Sequence, residues 1–372
     1  MTTVPSTITL PDTLSSWPWP RQVNPHYEEI SFESAQWVKS FGLFSPNAQV
    51  AFDRCNFGLL AALAYPLLKK EHLRSAADFM AALYCFDEYT DQGDEAFVRQ
   101  AADAAKDALR NPFKSRPEGE MPIGEVFRQF LARTVPICSE SVQQRLVETQ
   151  ERAMDGQVQQ CVDRKHDFAR NSKDYLAVRL HSSSMLPSYV IMELDIDVPD
   201  EVYYHPLLEN LRYWGFMLIC IDNDIFSYNI ERARGQALHN WVTLTALERN
   251  VGIQEAVDYL GALHHRTKES FLEATKNLPS WGEPIDSEVR RYIDGIGNWV
   301  RANYEWSFES RRYFDTHAAE VRRTLQLTML PKVVVADSQA HWAPRPGEVI
   351  PGLETALNLV PDADYMAVKV AA

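Results

Sequence analysis

The chain has 372 residues, of which 45% are hydrophobic and 24% charged, enough for a sizeable core and too apolar for bulk disorder. Its 37 basic against 51 acidic residues leave a net charge of −14. With no basic face and no polybasic cluster, that balance argues against a nucleic-acid binder or a protein held on anionic lipid. Cys55, Cys85, Cys138, Cys161 and Cys220 are widely spaced, without a CxxC pair, which favours reduced thiols. The start lacks the basic and apolar regions of a secretory signal, and no apolar stretch reaches the ~20 residues of a membrane span. A soluble, cytoplasmic protein is the expectation.

In chain order, Pro5, Pro11, Pro18, Pro20 and Pro25 mark a segment with little periodicity, and residues 1–20 are expected to form an extended arm. Apolar residues at three- and four-residue spacing then predict helices over Gln49–Leu68, Arg74–Asp91, Asp94–Leu109, Glu125–Arg133 and Glu140–His166. The same pattern continues over Lys173–Leu194, Glu201–Arg232, Gln254–Asn277, Ser287–Asp315 and Ala318–Met329. Helix starts are expected at Asp200-Glu201 and at Asp286-Ser287-Glu288, where an acid precedes the periodic run. No hairpin signal or solenoid repeat appears, and no composition break divides residues 21–335. The expectation is a single all-α bundle, followed by a flexible tail over 336–372 that contains Pro344, Pro346, Pro351 and Pro361.

Two oxygen-rich clusters carry chemistry. Asp87 and Asp91 are one helical turn apart at the end of an apolar helix, and Met80, Leu83 and Tyr84 precede them on the same face. Glu88, one residue from Asp87, is expected to point off that face. An isolated pair of this kind is more often a helix end fraying into water. Asn223, Ser227 and Glu231 follow at i, i+4 and i+8, with Phe216, Ile219 and Cys220 upstream on the same face. An amide oxygen, a hydroxyl and a carboxylate in a row suit one hard cation such as Mg²⁺. Two such helices facing each other would close a pocket with metal at the rim and apolar walls below. That arrangement fits ionisation of an isoprenoid diphosphate, in which metal neutralises the leaving group and the walls shield a carbocation from water.

The sequence resembles class I terpene cyclases, specifically fungal sesquiterpene synthases of the group that includes protoilludene synthases. The residues that carry the resemblance are Asp87-Glu88-Tyr89-Thr90-Asp91, Asn223–Glu231 as NDxxSxxxE, Arg179, and the run from Gly297 to Phe314 containing Arg312-Tyr313. The Arg110–Glu120 loop adds to the subgroup match. The resemblance implies that Asp87 ligates metal while Asp91 tunes the same metal site through an arginine. It also implies that Asn223, Ser227 and Glu231 hold a further ion, three Mg²⁺ in all. Arg179, Arg312 and Tyr313 would grip the diphosphate of farnesyl diphosphate. Ser182 and Ser183 fall where the family's helix breaks beside the substrate.

Many relatives carry Lys just before the last glutamate of the second motif. Ile230 stands there in this chain, and Arg234, three residues after Glu231, is the expected replacement. Arg232 should point elsewhere. Trp306, six residues before Arg312 on the same predicted helix, together with Tyr84 and Phe216, is expected on the pocket wall. Plain core packing accounts for each aromatic equally well. The activity implied is cyclisation of the farnesyl cation after 1,11 closure, by a monomer or a homodimer. The alternatives are a cyclase of another chain length or first closure, and a catalytically silent helical binding protein.

Overall fold

The computed structural model describes residues 6–90 and 93–331. The expected tail at 336–372 lies outside the described residues, as does Asp91. After a short strand β1 (Thr7–Thr9), the first helices are α1 (Tyr27–Lys39), α2 (Pro46–Arg54), α3 (Phe57–Ala64), α4 (Lys70–Thr90), α5 (Glu95–Arg110) and α6 (Pro122–Thr134). They are followed by α7 (Glu140–Lys165), α8 (Ser172–Ser182), α9 (Met185–Ile191), α10 (Asp200–Tyr203) and α11 (Pro206–Ala233). The bundle is completed by α12 (Trp241–Arg249), α13 (Ile253–Lys276), α14 (Ile285–Glu309) and α15 (Ala318–Thr324), after which β2 (Gln326–Thr328) pairs antiparallel with β1. The fold class is thus all-α, and the strand pair only ties the two ends of the described chain together.

Helix α11 lies at the centre, packed on α13 and α14, while α14 also packs on α3 and α7 runs against α5, α8 and α9. The long α11 is held there by a nearly continuous buried run, Gly215 to Ile221. No helix among the described residues is long and apolar enough to cross a membrane. All five cysteines are free thiols.

Several segments differ from expectation for local reasons. The predicted helix 49–68 is two helices, because Asn56 adopts a left-handed backbone and caps the second one by accepting from the Leu59 amide. The predicted helix 173–194 is broken at Ser183 and Ser184, and the one at 201–232 is split by His205-Pro206, where proline starts α11. Asp200 and Asp286 do not cap. Prolines Pro199 and Pro284 occupy those N-cap positions, and Asp286 instead accepts from the Trp281 amide at 2.6 Å and fastens the preceding loop. Helices α1 and α12 carry no sequence-based expectation.

Residues 6–20 run extended, yet they are packed into the molecule. Ile8, Leu10, Leu14 and Trp17 are all buried. The Trp17 indole N–H donates to the Gly297 carbonyl at 2.9 Å, and that of Trp19 donates to Asp294 at 2.9 Å. Gly297 makes this docking possible, since a β-carbon there would fall 2.2 Å from the Trp19 ring. Lys268 on α13 donates to the Ser15 carbonyl at 2.8 Å, and Arg301 on α14 donates to the Trp19 carbonyl at 2.9 Å. The two helices that brace α11 are therefore themselves strapped by the N-terminal segment.

Candidate active site

Helices α2, α3, α4, α7, α8, α11 and α14 surround a cavity of about 460 Å³. Its lower wall is apolar, built from Leu60, Met80, Leu83, Phe216, Ile219 and Trp299. Its mouth is polar and carries Asp87, Glu88, Arg179, Asn223, Ser227, Glu231, Arg234, Arg312 and Tyr313. The spacing logic holds on both helices: Met80, Leu83, Tyr84 and Asp87 descend one face of α4, and Phe216, Ile219, Asn223, Ser227 and Glu231 descend one face of α11.

On α11 the polar face is tightly connected. The Asn223 amide oxygen accepts from Arg179 at 2.6 Å, and its N–H donates to the Tyr313 hydroxyl at 2.8 Å. Arg179 also reaches Asp224 at 3.1 Å. Asp224 is buried, and it further accepts from the Tyr175 hydroxyl and, at 2.9 Å, from the Trp241 amide. It thereby joins α8, α11 and the start of α12. Asn240 donates to Glu231 at 2.9 Å, to Ser227 at 3.4 Å and to the Asp224 carbonyl at 2.8 Å, while its own oxygen caps α12 through the Val242 amide. Burial raises the Glu231 carboxyl above its ordinary range and Asp224 adds to this, against hydrogen bonds from Ser227 and Asn240.

On α4 the arrangement is looser. Glu88 does not turn away from the mouth. It pairs with Arg312 at 2.9 Å, and Asp87 lies 3.6 Å from the same guanidinium. The reason is that Arg312 does not continue the helix of Trp306: α14 stops at Glu309, and the following loop carries Arg312 and Tyr313 back over the mouth. The Arg312 guanidinium also stands 5.0 Å over the Tyr84 ring, which itself stacks on Phe57 at 3.8 Å. Arg234 faces the cavity as expected, whereas Arg232 turns away to the Leu330 carbonyl.

Trp306 is the clear departure. It is fully buried behind the wall, with ring centroids 5.9 Å from Tyr84 and 5.8 Å from Tyr313, and its indole N–H donates to the Cys55 carbonyl at 2.7 Å. It supports the cavity wall and does not line the cavity. Tyr84 and Phe216 do line it. Trp299 and Asn303, from the run at 297–314 that carries the resemblance, line it too, as do Met185, Gln157, Gln160 and Arg164, which had no sequence signal beyond membership of a helix, and His239, which lies outside every predicted helix.

The donor set fits a hard divalent cation. Asn223, Ser227 and Glu231 offer oxygen only, and Glu231 is a desolvated carboxyl whose charged form a cation would favour. A cationic group already sits on the Asn223 oxygen, the Arg179 guanidinium. Among the described residues no three His, Cys, Asp or Glu side chains converge as a metal cluster, so this face relies on an amide and a hydroxyl beside one acid. Asp87 and Glu88 supply further carboxylate oxygens across the mouth.

Residues 78–269 match the family model described as terpene synthase family 2, C-terminal metal binding. The chain is 46% identical over 325 residues to a Delta(6)-protoilludene synthase of Stereum hirsutum, covering 87% of this chain and 88% of that protein. It is 43% identical to a Delta(6)-protoilludene synthase of Armillaria gallica, covering 88% and 95%. It is 41% identical to sesquiterpene synthase 14 of Postia placenta, covering 90% and 95%. Among solved structures, α-eudesmol synthase superposes with a TM-score of 0.71 at 21% identity, covering 79% of this chain and 98% of that one. Hedycaryol synthase superposes with a TM-score of 0.70, covering 80% and 98%. Sequence identity and fold therefore agree, and the chain belongs to the terpene synthase family as an enzyme of the sesquiterpene cyclase type.

Proposed function

We propose that the cavity binds farnesyl diphosphate, ionises it and cyclises the farnesyl cation after 1,11 closure to a polycyclic hydrocarbon of the protoilludene type. One observation carries the reading: the oxygen faces of α4 and α11, Arg179, Arg234, Arg312 and Tyr313 share the mouth of a single cavity whose lower wall is apolar. The relatives named Delta(6)-protoilludene synthase support the choice of closure.

In this reading the diphosphate lies at the mouth. Arg179, Arg234 and Arg312 donate to its oxygens through planar forks that stay charged in a closing site, and Tyr313 donates its hydroxyl. Asp87, Asn223, Ser227 and Glu231 hold Mg²⁺, three ions in all, with Asp91 tuning the same site. Bound Mg²⁺ supplies neutralisation of the charge that develops on the leaving diphosphate. The C1–O bond then breaks with its electron pair going to diphosphate. The distal double bond attacks C1, and Tyr84, Phe216, Leu83 and Met80 shape the chain and keep water from the cation. Loss of a proton ends the sequence as a neutral hydrocarbon. Residues 6–20, docked on α13 and α14, act as part of the cyclase domain.

The test is incubation of purified protein with Mg²⁺ and, separately, geranyl, farnesyl and geranylgeranyl diphosphate, with headspace analysis. A cyclised C15 hydrocarbon formed preferentially from farnesyl diphosphate is expected. Cyclised product from only another chain length, or none from any, contradicts the assignment, and a skeleton from a different first closure contradicts the product class.

A further inference from the structure

The N-terminal segment follows α14 to its last residue. The Trp19 indole reaches Asp294, the Trp17 indole reaches the Gly297 carbonyl, and Arg301 donates to the carbonyls of Trp19 at 2.9 Å and Trp17 at 3.3 Å. The last tie is Arg21, whose Nε and Nη2 donate to the two carboxylate oxygens of Glu309 at 2.6 and 2.7 Å. Glu309 is the final residue of α14, about 22 Å along the helix from Asp294. A carboxylate there stands at the negative end of the helix dipole, an unfavourable place unless a cation offsets it. Ser310 then turns to an extended backbone with ψ 171°, its N–H making the last helical bond to the Trp306 carbonyl. The Arg311 N–H donates at 3.3 Å to the carbonyl of Arg54, the last residue of α2, and Arg312 and Tyr313 follow at the cavity mouth. Neither Arg21 nor Glu309 lines the cavity.

We propose that Arg21 and Glu309 are positioning residues for the grip on the diphosphate. Their pair holds the last turn of α14, and the bond from Arg311 to Arg54 holds the chain just beyond it. Between them these two ties set the point from which Arg312 and Tyr313 reach the mouth. Arg312 is three residues from Glu309, so a shift of the last turn passes directly to its guanidinium and to the Tyr313 hydroxyl. Two parallel N–H···O bonds fix direction as well as distance. The side chains of Arg21 and Glu309 are 41% and 26% exposed, so the pair contributes geometry and little overall stability. The proposal rests on the farnesyl diphosphate reading above.

The experiment is a double-mutant cycle on the full chain with R21Q, E309Q and R21Q/E309Q. R290Q is the control, because Arg290 pairs with Glu283 at 2.6 Å near the other end of α14 and does not line the cavity. Melting temperature, Kd for inorganic diphosphate in Mg²⁺ and kcat with farnesyl diphosphate are measured on each preparation. Each single variant is expected to weaken diphosphate binding about threefold or more and to lower kcat about threefold or more, a fraction of the ~10²-fold that a displacement of about 1 Å can cost. Melting temperatures should stay within about 4 °C of wild type. The double variant should be no worse than the poorer single, because both changes remove one and the same contact. R290Q should keep wild-type Kd and kcat. Wild-type Kd and kcat in the single variants, losses that multiply in the double, or an equal loss in R290Q overturns the proposal. Should one single variant not fold, wild-type Kd and kcat in the other overturns it alone. Failure of the wild-type chain to bind diphosphate in Mg²⁺ or to make any sesquiterpene is a separate result and rejects the underlying reading instead.

Discussion

The two oxygen-bearing helices at the cavity mouth are built in opposite ways. On α4, Asp87 and Glu88 stand in the last turn, partly exposed, and both lie beside Arg312, which arrives on a loop. On α11, Asn223 and Ser227 lie inside the helix and Glu231 in its last turn, and Arg179, Tyr313 and Asn240 hydrogen-bond to this face. Partly exposed ion pairs are worth about 0–1 kcal/mol, so Arg312 can leave Glu88 for a phosphate at little cost. The connected face of α11 is further tied through Asn240, itself held by the Asp224 carbonyl and the Val242 amide. The comparison teaches that the α11 side is cross-tied by hydrogen bonds while the α4 side rests on a partly exposed charge pair; under the proposed function the first would seat a cation and the second would release Arg312 to the diphosphate.

The largest effect should come from breaking the α11 side. Asn223→Ala and Glu231→Ala should each lose about 10²- to 10³-fold in turnover, the scale of removing one preorganised electrostatic contact, while helical circular dichroism is retained. Full activity of either variant in saturating Mg²⁺ would place the cation elsewhere. Next come the arginines. Arg179→Lys keeps the charge and loses the fork, and it also loosens Asn223 and Asp224. It should cost more than Arg312→Lys, which disturbs the pair with Glu88 and the stacking over Tyr84 but leaves the hydrogen bonds to Asn223 and Asp224 in place. Arg234→Ala should cost more than Arg232→Ala, since only Arg234 faces the cavity. Wild-type affinity of Arg179→Ala for inorganic diphosphate in Mg²⁺ would remove its assigned role.

Trp306→Ala separates support from chemistry. The indole is fully buried behind Tyr84, so its loss should destabilise the fold by ~3–5 kcal/mol, and the product ratio measured well below the melting temperature should stay close to wild type. A product shift without a stability loss would put the ring at the reacting chain. The smallest effect is expected for Glu88→Gln, which frees Arg312 without removing the carboxylate of Asp87. Its kcat should stay within about threefold of wild type, consistent with a partly exposed pair, whereas Asp87→Asn should cost more.

Much of this site was legible because helices make chemistry periodic. Asn223, Ser227 and Glu231 had to share a face once α11 was recognised, and Met80, Leu83 and Asp87 had to share one on α4. What escaped was set by tertiary contact. Residues 6–20 have no helical period, and their burial depends on a gap at Gly297 that only the packed α14 reveals. Helix α1 was hidden because its buried side includes Ser34 while Phe32 is left exposed, which blurs the apolar stripe. Trp306 and Arg312 were expected on one helix. A run of residues buried around α14 gives no inward direction for the indole, and nothing in the sequence between Glu309 and Arg312 announces the helix end. The role of Glu88 followed from that same missed loop.

The most direct measurement strips metal from the wild-type enzyme with EDTA and follows diphosphate release and volatile product in one vial with farnesyl diphosphate. An oxygen seat for Mg²⁺ on α11 that drives ionisation predicts neither product in EDTA, equimolar return of diphosphate and cyclised hydrocarbon when Mg²⁺ is restored, and poor replacement by Zn²⁺. Undiminished turnover in EDTA, or diphosphate released in Mg²⁺ without a cyclised hydrocarbon, would contradict it.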